Sequence, residues 1–271
     1  MAEPTFTALR SHIYTMTGIY FQDNKKYLLE SRISKRLQML QIESYEDYVR
    51  YILSVSGKEK EREFLFDAIT INETYFFRNE PQFEIFEKTL IPELVAAGKT
   101  KIRVWSAASS TGEEAHTLAM IFLEKIKPKY PSLSIEIVGT DIAPGVLRTA
   151  AKGEYRQYSI RNISPYYLKK YFTENNGVFT VVDAARKLVR FEHLNLFDKN
   201  RMRLMSNFDV VFCCNVLIYF DQKSKIQVVS QLYDGLNKGG FLFIGYAESL
   251  HGISSAFKIL NFPKAIAYKK E

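Results

Sequence analysis

Residues 101–245 alternate short apolar β-type runs with amphipathic helical runs, and no other feature of the sequence restricts the fold as strongly. The predicted strands are at 101–106, 135–140, 208–213 and 241–245. The predicted helices are at 113–125, 143–151 and 223–236, and the last is followed by a stop signal, NKGG, at 237–240. Strands joined by helices pair in parallel through right-handed crossovers. The alternation therefore predicts an α/β fold with a parallel sheet.

Two parts of the chain depart from this alternation. Residues 1–75 have apolar positions at helical spacing over 27–40, 45–53 and 64–69. Ser44 is placed to cap the second of these helices, and the absence of an alternating run predicts a small helical unit. Farther along, β-rich runs at 177–182 and 188–194 flank a polar segment, which predicts a hairpin inserted into the α/β unit.

Composition narrows the function classes. Lys and Arg number 37 against 30 Asp and Glu, and the net charge of +7 favours an acidic partner such as nucleic acid, anionic lipid or an acidic protein surface. The longest apolar run, 210–220, is shorter than the roughly 20 residues of a bilayer helix, and the N-terminus has no signal pattern. We therefore expect a cytoplasmic protein without membrane insertion.

Adjacent Cys213 and Cys214 offer neither a disulfide framework nor a zinc spacing, so no metal is expected.

Two strand ends carry residues suited to a nucleoside. After the first strand, the segment WSAASSTGEE at 105–114 is rich in small residues, which let backbone and ligand approach closely. It is neither a G-x-G-x-x-G loop nor a Walker A loop, so it does not support phosphate binding. The second strand ends at Asp141, whose carboxylate is placed to accept both hydroxyls of a ribose. Together these features indicate an adenosine-type ligand at the carboxyl edge of the sheet.

Five segments occur in this order: NETYFFR at 72–78, WSAASSTGEE at 105–114, GTDI at 139–142, NL at 195–196 and CNVLIYFD at 214–221. In combination they resemble the CheR family of chemotaxis-receptor glutamate O-methyltransferases, which use S-adenosylmethionine (SAM). The resemblance covers nearly the whole chain. It implies a Rossmann-like class I SAM-dependent methyltransferase fold with an all-α N-terminal domain and a small antiparallel β insert. The implied domains are 1–75 for receptor docking and 76–271 for methyl transfer, with the insert at about 155–193.

The resemblance also implies the reaction. A methyl group passes from SAM to the γ-carboxylate of specific glutamates on chemotaxis receptors, as a step of sensory adaptation. The products are glutamate methyl esters and S-adenosylhomocysteine. A free glutamate has a pKa of about 4.3 and is almost fully ionised at neutral pH. The chemistry therefore needs alignment of the reacting groups rather than a general base.

The site residues of the family carry over onto matching positions. Arg78 matches the segment that covers the cofactor, and Tyr219 matches a family tyrosine close to the transferred methyl. We hypothesise that both are catalytic, with Arg78 placing positive charge; the alternatives are a salt bridge at a helix end for Arg78 and a core aromatic for Tyr219. The implied cofactor-binding residues are Asn72, Thr74, Arg78, Ala107, Glu114, Asp141, Asn195, Leu196, Cys213, Cys214 and Asn215. Of the adjacent Glu113 and Glu114, the resemblance favours Glu114, and the choice stays open.

Three positions depart from the family pattern. Cys214 stands where Arg is usual, Ala115 and His116 stand where a ring usually follows the GEE motif, and GYAE at 245–248 replaces GHSE. None of these changes removes a residue that methyl transfer needs. The two cysteines are not expected to be nucleophiles, because no positive group or helix N-terminus near them in the sequence lowers a thiol pKa.

A basic helical face is the implied receptor-docking surface. Its residues are Lys25, Arg32, Lys35 and Arg36. Arg32 and Arg36 lie four positions apart, on one side of a helix. Receptor methylation segments are helical and rich in Glu and Gln, so positive charge would steer and register them. A merely solvated face is the alternative. In some family members the edge of the β insert also binds a peptide at the receptor C-terminus, and the sequence leaves this open.

Two other function classes stay open. The basic charge permits a SAM-dependent nucleic-acid methyltransferase, although NVLIY at 215–219 stands where an amino-methylating enzyme has D/N-P-P-Y/F. A SAM-sensing module of the same fold would bind the cofactor without transferring methyl. Salt-sensitive binding of nucleic acid would favour the first, and SAM binding without methyl-ester product would favour the second. The expected partners are receptor helices, with no nucleic acid.

Overall fold

The computed structural model describes the backbone of residues 1–271 and the side chains of residues 1–56 and 60–271. The chain begins with a helical unit made of α1 (Glu3–Thr17), α2 (Lys26–Leu40), α3 (Tyr45–Leu53) and α4 (Val55–Ile69). Ser44 caps α3 as predicted, because its hydroxyl accepts a hydrogen bond of 3.1 Å from the Asp47 amide. The inward faces of these helices share one apolar core, which includes Phe6, Leu9, Ile33 and Leu65.

As well as helices, the rest of the described chain contains ten strands. They are β1 (Lys101–Ala107), β2 (Ser134–Asp141), β3 (Glu154–Tyr155), β4 (Phe172–Asn175), β5 (Val178–Val181), β6 (Val189–His193), β7 (Phe208–Cys213), β8 (Leu236–Ile244), β9 (Phe257–Phe262) and β10 (Ala265–Lys270). The main sheet has the order β6-β2-β1-β7-β8-β10-β9. The first five strands in that order are parallel, and β10 and β9 complete the sheet in antiparallel register. The predicted parallel sheet is confirmed.

Helices cover both faces of this sheet. They are α5 (Glu80–Ile85), α6 (Ile91–Ala96), α7 (Glu113–Ile121), α8 (Pro144–Lys152), α9 (Gln157–Ile160), α10 (Pro165–Tyr171), α11 (Asp183–Arg186), α12 (Lys199–Met202) and α13 (Gln222–Gly235). In β7, Phe212 belongs to the core that includes Phe86, whereas Val211 belongs to the core that includes Leu232. Burial on both faces explains why residues 210–213 of this strand are all apolar. Within the described residues, no helix has both the length and the apolar character that a membrane crossing needs.

The predicted hairpin at 177–194 is wrong. β5 pairs with β4 and β3 in a separate antiparallel sheet, whereas β6 pairs with β2 in parallel register at the edge of the main sheet. The tight turn lies earlier, at Asn176 and Gly177, which both have the positive φ of a two-residue hairpin turn. The helical turn α11 then carries the chain from the small sheet to the main one. The small sheet thus ends at Val181, and 189–193 belong to the main sheet.

The NKGG segment at 237–240 is not a loop after α13, because it lies within β8. Asp209, which is 2% exposed, organises this part of the strand. Its carboxylate accepts hydrogen bonds from the Asn237 side chain at 2.8 Å and from the Arg103 amide at 2.9 Å. Gly239 has a φ of +79°, and the register between β7 and β8 shifts near their start. The segment is therefore an irregularity inside the strand, held by a buried carboxylate.

His116 on α7 is a buried packing group. It is 1% exposed, and its Nε2 lies 3.1 Å from the Ala150 carbonyl oxygen in α8. The rings of Tyr155 and Phe191 pack against the imidazole edge-on, with centroids at 6.2 and 5.4 Å. Its Nδ1 is buried and has no hydrogen-bond partner among the described residues. Burial in these surroundings lowers the pKa of His116 to about 4.

Acidification should therefore destabilise the fold through His116. The unfolded imidazole has a pKa of about 6.5, so it binds a proton that the folded one does not. This contribution to stability is complete above pH 6.5 and is lost as the pH falls toward 4. Between pH 7 and pH 4.5 the loss is about 2 to 3 kcal/mol. Urea unfolding at both pH values should show a smaller difference for His116→Gln than for the wild type. Equal differences would contradict this account.

Candidate active site

A cavity of about 710 Å³ lies between the helical unit and the carboxyl edge of β1, β2 and β7. A crevice at this edge of a parallel sheet is where ligands bind in α/β folds. The predicted site residues that line it are Asn72, Thr74, Arg78, Glu114, Asp141, Asn195, Leu196, Cys214, Asn215 and Tyr219, together with Lys25 and Arg32. The structure thus brings most of the predicted residues together around one space.

A connecting segment, residues 72–78, crosses the cavity between the helical unit and α5, and we call it the strap. Phe76 anchors it, because this ring is fully buried and meets the rings of Tyr155 and Phe172 edge-on at 4.8 and 5.1 Å. The Phe76 amide also donates to the Ser159 carbonyl oxygen at 3.0 Å. The next residue, Phe77, has a φ of +59°, a left-handed conformation that turns the chain sharply. The small sheet and α9 therefore fix the strap over the cavity.

Arg78 ends the strap and faces the cavity. Its Nη1 donates to the Glu73 carbonyl oxygen at 2.5 Å, and its guanidinium lies 5.8 Å from the centre of the Tyr75 ring. Arg36, Arg103 and Arg186 each form a salt bridge with a carboxylate. Among the described residues, no carboxylate forms one with Arg78. Its positive charge is therefore available to an anionic group in the cavity.

Asp141 lies at the carboxyl end of β2 and is 5% exposed. One carboxylate oxygen accepts from the Ser110 amide and the other from the Ala143 amide, both at 2.9 Å. Burial raises the pKa of Asp141, while these two amides act in the opposite direction. A carboxylate oxygen can accept more than one hydrogen bond, so Asp141 could also accept from a pair of hydroxyl donors in the cavity.

Glu114 faces the cavity at the start of α7. Its carboxylate accepts a hydrogen bond of 2.7 Å from the Ser106 hydroxyl, and burial raises the pKa of Glu114 to about 7. The neighbouring Glu113 is 1% exposed and accepts from the Thr111 hydroxyl at 2.6 Å. Glu113 is not part of the described cavity wall. The geometry therefore favours Glu114 as the residue that meets a ligand.

The loop between β1 and α7 reaches the cavity one residue later than predicted. Ala107 is 1% exposed in the core, and Ala108, Ser109 and Ser110 form the wall instead. Gly112 has a φ of +91°, and a Cβ there would lie 2.8 Å from the ring of Phe191 on β6. This glycine is required for packing of the loop against the sheet rather than for close approach to a ligand.

Asn195 joins the sheet to the helical unit. Its side-chain amide donates to the Met16 carbonyl oxygen at 2.7 Å, and its Oδ1 accepts from the Phe197 amide at 2.9 Å. A Cβ at Gly18 would lie 2.6 Å from the Phe197 ring, so the end of α1 fits closely against this loop. The side chain of Asn195 is thus engaged in an interdomain contact, and Leu196 beside it lines the cavity.

The two cysteines after β7 differ. Cys213 is fully buried in the core, whereas Cys214 lines the cavity and its Sγ donates to Gln82 Oε1 at 3.2 Å. Burial raises the pKa of both thiols, which leaves them protonated at neutral pH. Asn215 follows with a φ of +61°. These contacts give no support to a nucleophilic cysteine, in line with the sequence.

Tyr219 lies in a 3-10 turn, Leu217–Tyr219, and its half-buried side chain lines the cavity. Burial raises the pKa of Tyr219, and the positive charges of Arg32 and Arg78 act in the opposite direction. The Tyr20 amide donates to the Tyr219 carbonyl oxygen at 2.9 Å. The helical unit thereby directly contacts the turn that carries Tyr219, which no sequence motif indicated.

The predicted docking residues divide into two groups. Lys25 and Lys35 are exposed, and Lys25 also lines the cavity. Arg32 points into the cavity, donates to the Ile69 carbonyl oxygen and lies 5.9 Å from the Phe21 ring. Burial lowers the pKa of Arg32. Its charge therefore acts on whatever occupies the cavity.

Arg36 belongs to the contacts between helices. Its Nε and Nη2 donate to the two carboxylate oxygens of Glu61 at 2.7 and 2.8 Å, and Glu61 is 1% exposed. The Tyr48 hydroxyl donates to the same carboxylate at 3.1 Å. A bidentate pair of this kind holds α2 against α4. The expectation that Arg32 and Arg36 present one free face is wrong, because Arg32 faces the cavity and Arg36 faces Glu61.

Family models match both parts of the chain. The CheR methyltransferase all-alpha domain matches residues 4–70, and the CheR methyltransferase SAM binding domain matches residues 72–266. Chemotaxis protein methyltransferase 2 of Vibrio cholerae serotype O1 is 35% identical over 100% of this chain and 94% of that protein. Chemotaxis protein methyltransferase 1 of Pseudomonas aeruginosa is 34% identical over 99% of this chain and 98% of that protein.

Solved structures give a much weaker similarity. Magnesium protoporphyrin IX methyltransferase from Synechocystis, solved with bound SAM, aligns with 82% of this chain and 94% of its own. The identity is 14% and the TM-score is 0.37, values too low to say anything about the site.

The raised pKa of Glu114 predicts that SAM affinity depends on pH. We predict that Glu114 meets the ammonium group of SAM; below pH 7 its carboxyl is mostly protonated and would offer no charge to that group. Affinity should therefore rise by about eightfold between pH 6 and pH 7.5, with release of a proton on binding near neutral pH. Titration calorimetry in buffers of different ionisation enthalpy measures both quantities.

Two variants separate this effect from other titrations. Glu114→Gln should bind SAM weakly at both pH values and lose most of the pH dependence. Glu113→Gln, at the neighbouring residue that faces away from the cavity, should keep it. A wild-type affinity that does not change with pH would contradict the role of Glu114.

Proposed function

Because this chain belongs to the CheR methyltransferase family, we propose that it methylates the γ-carboxylates of receptor glutamates. It is a SAM-dependent methyltransferase of chemotaxis receptors. The proposal adds the acceptor group, the roles of the site residues and the division into a docking domain at 1–75 and a methyltransferase domain at 76–271. The products are glutamate methyl esters and S-adenosylhomocysteine.

The residues of the cavity fit SAM. Glu114 suits its ammonium group, Arg78 its carboxylate and Asp141 its ribose hydroxyls. Two cavity-lining residues, Ser109 and Asn215, each have a buried side-chain oxygen without a hydrogen-bond partner among the described residues. Bound SAM supplies a methyl group on a sulfonium, which is the group that is transferred.

The observation that supports a carboxylate acceptor is the positive charge around Tyr219. Arg32 comes from the helical unit and Arg78 from the strap, and both charges act on this hydroxyl. Because burial raises its pKa, Tyr219 stays protonated at neutral pH and remains a hydrogen-bond donor. The Arg32 guanidinium and the Tyr219 hydroxyl suit an anionic oxygen acceptor, and Arg78, assigned to the carboxylate of SAM, adds positive potential beside them. The described cavity wall contains no histidine, and an ionised glutamate needs no base.

The chain's own contribution to the reaction is alignment. Arg78 holds a carboxylate in the cavity, and the Tyr219 hydroxyl donates to the attacking oxygen and sets its direction. The strap and the helical unit cover the cavity and exclude water from the reacting groups. Fixing two reactants in line lowers a barrier by about 7 to 11 kcal/mol at the extreme. No separate base is needed, because the acceptor carboxylate is already ionised.

Incubation with radiolabelled SAM and membranes that contain chemoreceptors tests this function. We expect label on the receptor that mild base releases, because carboxyl methyl esters are base-labile. Arg78→Ala should lower the initial rate by about 100-fold, since it removes a charge-assisted hydrogen bond at the site. Lys238→Glu, an exposed change in β8 near the opposite end of the sheet, should keep the wild-type rate.

Other results would exclude the proposal. Base-stable label on the receptor would indicate another acceptor group. Label in added nucleic acid would indicate the nucleic-acid methyltransferase. SAM binding without any transfer would indicate the SAM-sensing module.

We propose that receptors dock on the exposed side of α2 and on Lys25, which directly precedes this helix. Lys25 and Lys35 offer positive charge at the surface, and Arg32 continues it into the cavity. A receptor helix rich in glutamate would meet the surface lysines first and Arg32 once a glutamate enters the cavity. The small sheet offers a further contact, because β4 is one of its outer strands and Thr173 to Asn175 are exposed. An extended peptide at a receptor C-terminus would add to such an edge.

Reversing the charge of Lys35 should weaken the receptor contact. We expect Lys35→Glu to raise the KM for receptor by about fivefold at low salt, with less effect at high salt, because the side chain is exposed. The dissociation constant of SAM should not change. Lys238→Glu makes the same change of charge far from the cavity and is the matched control. Equal KM values for the two variants would contradict docking on α2.

A further inference from the structure

Glu248 follows β8 and is not part of the described cavity wall, yet it contacts the loop that carries Tyr219. Its Oε2 accepts hydrogen bonds from the amides of Gly245 at 2.6 Å and Asn215 at 2.9 Å. Its Oε1 accepts a hydrogen bond of 3.1 Å from the Ile218 amide. Ile218 directly precedes Tyr219. One carboxylate therefore joins the turn after β8 to both ends of the segment 215–218.

The backbone around this carboxylate leaves little freedom. Asn215 has a φ of +61°, in the left-handed region. A Cβ at Gly245 would lie 2.7 Å from Glu248 Oε2 and 2.8 Å from the Asn215 amide nitrogen, so a side chain there would displace the contact. Three amide donors on one carboxylate are charge-assisted hydrogen bonds, which are the strong ones. The loop after β7 thus has its conformation set by a side chain of another element.

The other end of the same loop is held by the helical unit. The Tyr20 amide donates to the Tyr219 carbonyl oxygen at 2.9 Å, and Ile19 and Phe220 form an antiparallel bridge. These contacts and those of Glu248 involve only the loop's backbone. The backbone at Tyr219 is therefore restrained on both sides, and its side chain reaches the cavity from a fixed base.

We propose that Glu248 is a positioning residue for methyl transfer. Its carboxylate sets the backbone of 215–219 so that the Tyr219 hydroxyl meets the acceptor oxygen. This inference rests on the proposed role of Tyr219. If Glu248 only stabilised the fold, a change at Glu248 would lower kcat by the same factor with and without the Tyr219 hydroxyl. A positioning role predicts a smaller factor when that hydroxyl is absent.

The test is a double-mutant cycle in the full chain, with receptor membranes and SAM as substrates. Glu248→Gln keeps the size of the side chain but turns an N–H group toward one of the amides. We expect it to lower kcat by about tenfold and to change the dissociation constant of SAM by less than about threefold. In a Tyr219→Phe background the same change should lower kcat by less than about twofold. Amide hydrogen exchange at Asn215, Ile218 and Gly245 should become faster.

Two further variants keep the test decisive. Tyr246→Ala lies in the same turn, at a residue 90% exposed, and should keep wild-type kinetics and exchange. Glu248→Asp retains the charge on a shorter side chain and should give a kcat between wild type and Glu248→Gln, which covers the case in which Gln disturbs folding.

Wild-type kcat in Glu248→Gln would overturn the inference, as would an equal fold-loss with and without the Tyr219 hydroxyl. In either case the proposed role of Tyr219 would stand. Wild-type kcat in Tyr219→Phe would overturn that role and this inference together.

Discussion

The burial of Phe76 is the contact on which the working arrangement depends. Removing a phenylalanine side chain from water contributes about 1.5 to 3 kcal/mol, and each edge-on ring pair adds about 0.5 to 1.5 kcal/mol. Phe76 gains both, because its ring lies between Tyr155 and Phe172. The strap carries Arg78 to the cavity only while this anchor holds. The small sheet therefore contributes to the cavity, because it holds the strap that carries Arg78.

The parallel sheet supplies the second constraint. Because β1, β2 and β7 are parallel neighbours, their carboxyl ends meet at one edge. Residues far apart in sequence, such as Ala108, Asp141 and Asn215, therefore line one space. The helical unit and the strap then cover this edge and contribute Arg32 and Arg78. In the cavity wall, Glu114 and Asp141 come from the sheet and its loops, whereas the cationic groups come from the helical unit and the strap.

The order of strands and helices was predictable because apolar alternation is a local property. The main errors have non-local causes. The segment 178–181 pairs with β4 and β3, and nothing in its own residues indicates these partners. The motifs contain most of the predicted residues that line the cavity, but they did not show the direction of side chains. Asn195 faces a backbone carbonyl of α1, and Arg36 pairs with Glu61, 25 residues away, because α2 packs on α4. The role of Glu248 needs three backbone amides from two loops, which no spacing reveals.

The close fit of α1 against the sheet limits the modularity of this protein. Gly18 leaves no room for a side chain beside Phe197, and the Tyr14 hydroxyl donates to the Asp221 carboxylate at 2.9 Å. These pairs cross from the helical unit to the loops that line the cavity. A chimera that joins the helical unit of one relative to the sheet of another would have to preserve both pairs. A side chain introduced at 18 would therefore require a smaller residue at 197, and a change at 14 would leave Asp221 without this hydrogen bond.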